Sequence, residues 1–307
     1  MKSNDIAVNL NVKTLKRREF KKNLDCYLYI APFMIIFFIF TVVPVVMSMI
    51  LSFTYYNVLE FPKFTGFSNY INLLANDDIF IIAIKNTLTM AIFVGPIGYL
   101  LQLMFAWFIN ELSPYLRFIM VTILYAPILS GGAIMIWSVL FSDDSQGYLN
   151  GFLLGNGFIS SPIRWITDKN YMIWVAIIIT IWMSLGAGFL SFVAGFRTID
   201  KSQYEAGYVE GIRNRWQELW FITLPSMRPQ MMFAAVMSIT GMFAIDVSYL
   251  FGLPSRDYAV HTIMNHLYDY GNIRFEMGYA CAIASVLFII MLTTNSLVHK
   301  MIGKVGQ

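Results

Sequence analysis

Charge is scarce in this sequence. Only 13% of its 307 residues are Asp, Glu, Lys or Arg, against about 25% in an ordinary soluble domain, while 58% are apolar. The two figures together exclude a soluble globule and point to a chain that crosses a membrane several times. The net charge is only +3, with no basic patch beyond the flanks of the apolar runs, so no nucleic-acid partner is expected. Cysteine is nearly absent: Cys26 and Cys281 lie at or in apolar runs and read as small fillers without a disulfide. No phosphate-binding Gly-x4-Gly-Lys loop occurs, so the chain should not bind ATP itself. No Gly-x-Ser-x-Gly turn occurs either, which removes covalent hydrolysis. Of three histidines, His261 and His266 stand five apart, a spacing that does not share a helix face. They read as ordinary loop histidines, and no metal site is expected. The first apolar run, from Cys26, is too long for the core of a cleavable signal, so none is expected.

The gaps between charges set the spans. About 20 apolar residues cross a bilayer. Uncharged stretches of 34, 25, 25 and 27 residues follow Asp25, Lys85, Arg117 and Lys169. A stretch of 27 between Arg228 and Arg256 is interrupted only by Asp246, and 22 residues separate Glu276 from His299. The expected fold class is therefore an all-α membrane protein with six transmembrane helices, near 27–54, 86–110, 118–141, 171–196, 230–253 and 277–299. Six spans put both termini on one side. That side carries fifteen Lys and Arg against six on the other, and the positive-inside bias makes it cytoplasmic. The expected organisation is a cytoplasmic tail 1–25, a membrane domain 26–300 and a cytoplasmic tail 301–307, in the plasma (inner) membrane. The basic first tail can lie on the lipid surface. Prolines and glycines within the first four spans, such as Pro32, Pro44, Pro96 and Gly186, predict kinks or close helix approaches. In the loop 142–170, Gly147–Gly151 and Ser160–Pro162 read as turns and Trp165 as an interfacial anchor.

Between the fourth and fifth spans the character changes. The loop 197–229 holds Arg213, Arg215, Glu218 and Arg228, and its order reads helix, break, helix. Asp200 or Ser202 can cap the first helix by accepting its free backbone N–H groups. Gly211 can end it in the left-handed conformation. Asn214 can cap the second helix, and Pro225 and Pro229 should limit it. Within the fifth span, Ser238, Met242, Asp246 and Tyr249 fall on one helical face. An ionisable group there costs about 2.5–3.5 kcal/mol, so Asp246 should face protein or water. A carboxylate beside aromatic and thioether groups suits sugar hydroxyls and sugar faces, and Trp182, Gly186 and Phe189 make a similar stripe on the fourth span. Ordinary helix packing is the alternative for all of these residues.

Glu205-Ala206-Gly207-x3-Gly211 followed by Ile222-x-Leu224-Pro225 resembles the "EAA" loop of permease subunits of bacterial binding-protein-dependent ABC importers. The family usually has Ala where Gly207 stands, and one residue fewer between Gly211 and Ile222. Tyr27–Pro32, Leu51–Phe53, Phe64–Tyr70, Asn86–Leu88, Trp137–Phe141 and Met277–Ala284 resemble, in order, the carbohydrate branch of that family, and the first of its two paired permeases. The resemblance implies the type I importer permease fold, with the loop as a coupling helix docked in a groove of the ATPase subunit.

Glu205, Ala206, Gly207, Glu210, Gly211, Leu224 and Pro225 are then the coupling residues. Glu205 would fix register across the interface; otherwise it only adds charge near a helix N-terminus, worth about 0.3–1 kcal/mol. Asp246, Tyr249, Met242, Ser238, Trp182 and Phe189 would line the substrate path. The implied partners are a second homologous permease, two copies of an ATPase carrying ATP and Mg, an extracytoplasmic sugar-binding protein, a sugar or oligosaccharide, and lipid. The chain itself would bind no cofactor and be no enzyme. The rivals are the same machine for a polyamine, phosphate or peptide, a membrane-embedded enzyme, and a membrane scaffold.

Overall fold

The computed structural model describes residues 23–130, 133–244, 246, 250–252 and 254–302. The first apolar run forms α1 (Leu24–Phe37) and α2 (Val43–Leu51), joined without a break by a π-helical turn over Phe38–Val42. The cause is Pro44, whose ring cannot fit against the carbonyl four residues back. A wider turn accommodates it, closed by the Val43 N–H on the Phe38 carbonyl. A two-stranded antiparallel ribbon follows, β1 (Thr54–Tyr55) on β2 (Lys63–Phe64), then the short helix α3 (Ser68–Ala75).

Helix α4 (Asp78–Asn110) is the axis of the molecule. It runs through Lys85, which was expected to precede it, because the Asp77 side chain caps it by accepting from Phe80 N at 2.9 Å. The third apolar run carries α5 (Pro114–Ser130) and α6 (Ala133–Leu140), and the fourth is split into α8 (Lys169–Met183) and α9 (Ala187–Thr198). Between α8 and α9, Gly186 adopts φ −104°, ψ −140°, and this is where the expected glycine kink becomes a full break. Helix α13 (Arg228–Ala244) ends short of the expected residue 253, and α15 (Met277–Ile302) closes the chain. Among the described residues, four helical stretches are long and apolar enough to cross a membrane: Cys26–Leu51, Asp78–Asn110, Lys169–Thr198 and Met277–Ile302.

Helices α8, α9 and α13 pack on α4, and α13 also packs on α15. One core cluster lies near the α9–α13 crossing, around Phe189, Phe192, Met227 and Ala234. A second surrounds Val175 and Ile179, and a third surrounds Phe80, Ile263 and Ile283. The first span is more loosely held. Its second half, α2, packs on α15, yet none of the residues in its most apolar window is buried.

The loop after α6 differs from its reading as turns. Gly147 precedes a helix, α7 (Tyr148–Gly155). Trp165 is no bare interfacial anchor. Its Nε1 donates to the buried Asn150 Oδ1 at 3.0 Å, and its ring meets Phe141 edge-on.

Candidate functional site: the coupling segment and the opposite end

Residues 200–226 fold as the local chemistry dictates. Helix α10 (Lys201–Val209) is capped by Asp200, whose Oδ1 accepts from Ser202 N at 3.1 Å. That hydrogen bond holds the Asp200 carboxyl below its usual range. The helix ends in a Schellman turn: Ile212 N bonds to Gly207 O at 3.0 Å, and Gly211 N to Tyr208 O at 3.3 Å. Gly211 sits at φ +96°, where a Cβ would be strained. Asn214 caps α11 (Arg215–Glu218) by accepting from Gln217 N at 2.8 Å.

Pro225 was expected to limit this second helix, and it does not. A π turn over Leu219–Thr223 widens the spiral ahead of it, as at Pro44, and α12 (Leu224–Ser226) continues to a break at Met227.

The motif residues divide into two sets. Gly207 and Leu224 are buried. A Cβ on Gly207 would lie 2.6 Å from Ile222 Cδ1, so the glycine is where α10 sits closest on its neighbour. Glu205, Ala206 and Glu210 point outward, and neither carboxylate forms a side-chain hydrogen bond or ion pair among the described residues. Val209 is 89% exposed, with Tyr208, Trp216, Trp220 and Phe221 also bare. Surface apolar groups of this size beside free carboxylates make a face fit for a protein partner.

The segment is fastened to the bundle. Arg215 bridges Glu218 at 2.8 Å and Glu111, just past the end of α4, at 2.9 Å. Trp216 packs edge-on to Trp107 of α4, with centroids 4.8 Å apart. The Tyr204 hydroxyl and Thr223 Oγ1 lie 3.0 Å apart, which joins α10 to the π turn that follows α11.

The other expected site residues do not form one face. Helix α13 stops at Ala244, so Asp246 lies beyond it and does not share a helical stripe with Ser238 and Met242; Tyr249 lies outside the described residues. Ser238 is engaged in packing: its Oγ bonds to Ala234 O at 2.8 Å and lies 3.1 Å from Gln102 Nε2. Phe189 is fully buried in the core, and Trp182 stacks edge-on against Trp137 at 5.1 Å. Met242 lies near Gly95, 3.8 Å from where its Cβ would be.

Gln102 was missed. It is 1% exposed on α4 and donates from Nε2 to Ser184 O at 2.8 Å, satisfying a carbonyl freed by the α8–α9 break. The only signal was a single amide in the middle of an uncharged run.

At the far end of α4, across the helix's 33 residues from Glu111, a second polar assembly was also missed. Asp77 Oδ2 accepts from the Tyr279 hydroxyl at 2.9 Å and lies 3.0 Å from His266 Nε2. His266 Nδ1 lies 3.2 Å from His261 Nε2. The two histidines are 1% and 5% exposed, so the reading as ordinary loop residues is corrected. His261 stands in the turn before helix α14 (Ile263–Tyr268), which carries His266, and the turn brings the two rings together where one helix would part them.

Burial pushes His261 down to about 4 and lowers His266 as well, so both rings are neutral near pH 7. Burial alone would raise Asp77, but the Phe80 N–H, the Tyr279 hydroxyl and His266 together outweigh it and hold the carboxyl low. With Asp77 ionised, His266 donates from Nε2 and accepts at Nδ1 from His261. His261 Nδ1 is then a buried acceptor with no hydrogen-bond partner among the described residues.

The model of the family described as "Binding-protein-dependent transport system inner membrane component" matches residues 95–301. The chain belongs to this family. It is thus a multi-pass inner-membrane component of a transport system, and its work is passage rather than bond chemistry. It is 31% identical over 277 residues, 88% of each chain, to the probable ABC transporter permease protein YesP of Bacillus subtilis (strain 168). It is 29% identical over 288 residues to the arabinooligosaccharides transport system permease protein AraP of the same organism, covering 92% of this chain and 90% of AraP. A chain of a bacterial ABC transporter involved in the import of the acidic polysaccharide alginate shares its fold. The TM-score is 0.71 at 24% identity, with 94% of this chain and 99% of that chain covered.

Proposed function

We propose that this permease carries a sugar or oligosaccharide inward and is driven by ATPase subunits gripping residues 204–225. The observation that carries the reading is the outward face of α10. Glu205, Ala206 and Val209 are bare on α10, which the Tyr204–Thr223 contact joins to the stretch that Arg215 and Trp216 tie to the end of α4. A pull on that helix is delivered to the central helix of the bundle rather than lost in a slack loop. Closure of the ATPases would rock the spans between outward and inward access.

The sugar follows from the relatives, AraP among them. The full assembly would contain a second homologous permease, two ATPase copies carrying ATP and Mg, and an external sugar-binding protein. Both termini and the 200–226 segment would face the cytoplasm, as the distribution of Lys and Arg favours. The tails 1–25 and 301–307 would flank one membrane domain. Asp246 stays in the proposed path on the cost of its position, though not as part of a helical stripe.

Purification of the tagged chain from its host should bring down an ATPase and a second permease. Glu205→Lys reverses a charge on the docking face, so it should abolish uptake and ATPase association while the chain still inserts. Normal uptake and association in that variant would rule out the docking role. In the same assay Asp246→Asn should change the apparent affinity for sugar more than the yield of complex. Unchanged affinity removes Asp246 from the path.

A further inference from the structure

The end of the bundle opposite the 200–226 segment holds an open cavity of about 570 Å³. Three stretches remote in sequence wall it: Tyr55 and Tyr56 at the end of β1, the α3–α4 corner up to Ile79, and Tyr270–Tyr279 leading into α15. One part of the lining is fixed. Asp77 is held by Tyr279 and His266, as above. The Tyr270 and Tyr279 rings lie 4.4 Å apart at 41°. Arg274 covers Tyr270 at 4.3 Å and is neutralised by Asp269 at 2.7 Å.

The rest of the lining is uncommitted. Neither the Asp78 and Glu276 carboxylates nor the Tyr56 hydroxyl makes a side-chain hydrogen bond among the described residues. Asn76 donates to Asn72 at 3.1 Å, which leaves its own carbonyl free. Tyr55 is 47% exposed and offers a ring face.

This lining combines hydrogen-bonding groups aimed from several sides with aromatic faces. A ligand that fits has many hydroxyls on its edges and apolar faces between them, which is a saccharide. Its charge follows from the balance. Asp77, Asp78 and Glu276 stand against Arg274 alone, and Arg274 already has a partner. A uronate or phosphate would enter against like charge. A bare metal ion is not favoured either, since no group of His, Cys, Asp and Glu able to hold a metal occurs among the described residues.

We propose that this cavity is a subsite for a neutral saccharide at the mouth of the transport path. It rests on the sugar-import reading and narrows its substrate class. The family's shared fold extends to an importer of an acidic polysaccharide, so the sign of charge at this mouth would separate members that take neutral chains from those that take acidic ones.

Saturation-transfer NMR on the complete transporter in nanodiscs, without binding protein, tests the proposal. The probes are neutral glucose, galactose and arabinose oligosaccharides and, in parallel, an oligouronate. At least one neutral probe should show transfer and the oligouronate none. The exposed double variant Asp78→Asn/Glu276→Gln and, separately, Tyr55→Ala should each weaken the neutral signal at least threefold without lowering complex yield. The double variant should also admit the oligouronate. Absence of transfer to every neutral probe, equal transfer to the oligouronate, or a signal that neither variant changes overturns the subsite. Uptake by proteoliposomes with the binding protein separates the two readings. Neutral sugar uptake that persists unchanged in the variants leaves sugar import standing and removes only the cavity. Uptake of no sugar at all removes the importer reading itself.

Discussion

The two ends of α4 solve opposite problems. At one end the coupling segment buries its small residue, Gly207, and turns Glu205 and Glu210 outward with no partner among the described residues. At the other end Asp77 turns inward and is surrounded by His266, Tyr270 and Tyr279 at 2.9–3.5 Å. Free charge on a surface is cheap and available to a partner, whereas buried charge must be answered from within the fold. The first end is therefore built to be grasped and the second to hold the chain together. A carboxylate is left free for a partner at Glu205 and is committed to architecture at Asp77.

The largest blow to that contrast should come from Asp77→Ala. It leaves the Tyr279 hydroxyl and His266 Nε2 without an acceptor, each at a cost of about 1–3 kcal/mol, and removes the cap of α4. The complex should melt several degrees lower, while Glu205→Ala, on the exposed face, should leave the melting temperature nearly unchanged. Equal thermal shifts from the two variants would erase the distinction between a gripped end and a holding end.

Acid should sharpen it. His261 and His266 titrate lower in the folded chain than at their unfolded value of about 6.5. Between about pH 6.5 and 4 the unfolded chain therefore binds protons that the folded chain refuses, and stability falls as pH falls through that window. Asp77, lowered in the fold, withdraws its contribution only below the ordinary carboxylate range. Thermal melts across pH 4–7 should slope downward toward acid, and His261→Phe should flatten that slope. An unchanged slope would mean that the histidine chain is not the acid-sensitive part.

Smaller effects belong to the coupling segment. Gly211→Ala forces a Cβ into φ +96° and should destabilise by about 1 kcal/mol or somewhat more. Gly207→Ala restores the residue usual in the family and should cost less, because the atom it meets is the mobile end of Ile222. Hydrogen exchange of residues 201–212 in the two variants ranks them. A larger loosening in Gly207→Ala than in Gly211→Ala would show that contact with Ile222, rather than the turn, limits α10.

The coupling end was largely legible beforehand, because its determinants are local. Asp200, Gly211 and Asn214 each act within three or four residues, and each does what its chemistry requires. The spacing of charges likewise determined where the chain must be apolar for a bilayer's width, and so the approximate place of each span. It could not determine where helices break. Pro225 was overruled by a π turn, and Asp246 fell beyond a helix that ends at Ala244.

What only the tertiary structure decided is which distant polar groups answer one another. Asp77 meets residues 189 to 202 positions away, and Gln102 meets Ser184 across 82. A pairing of that kind leaves no period and no local motif in a sequence. In a membrane, the backbone group freed by a helix break needs a partner from another segment, and the packing of α8, α9 and α13 around α4 brings that partner to it.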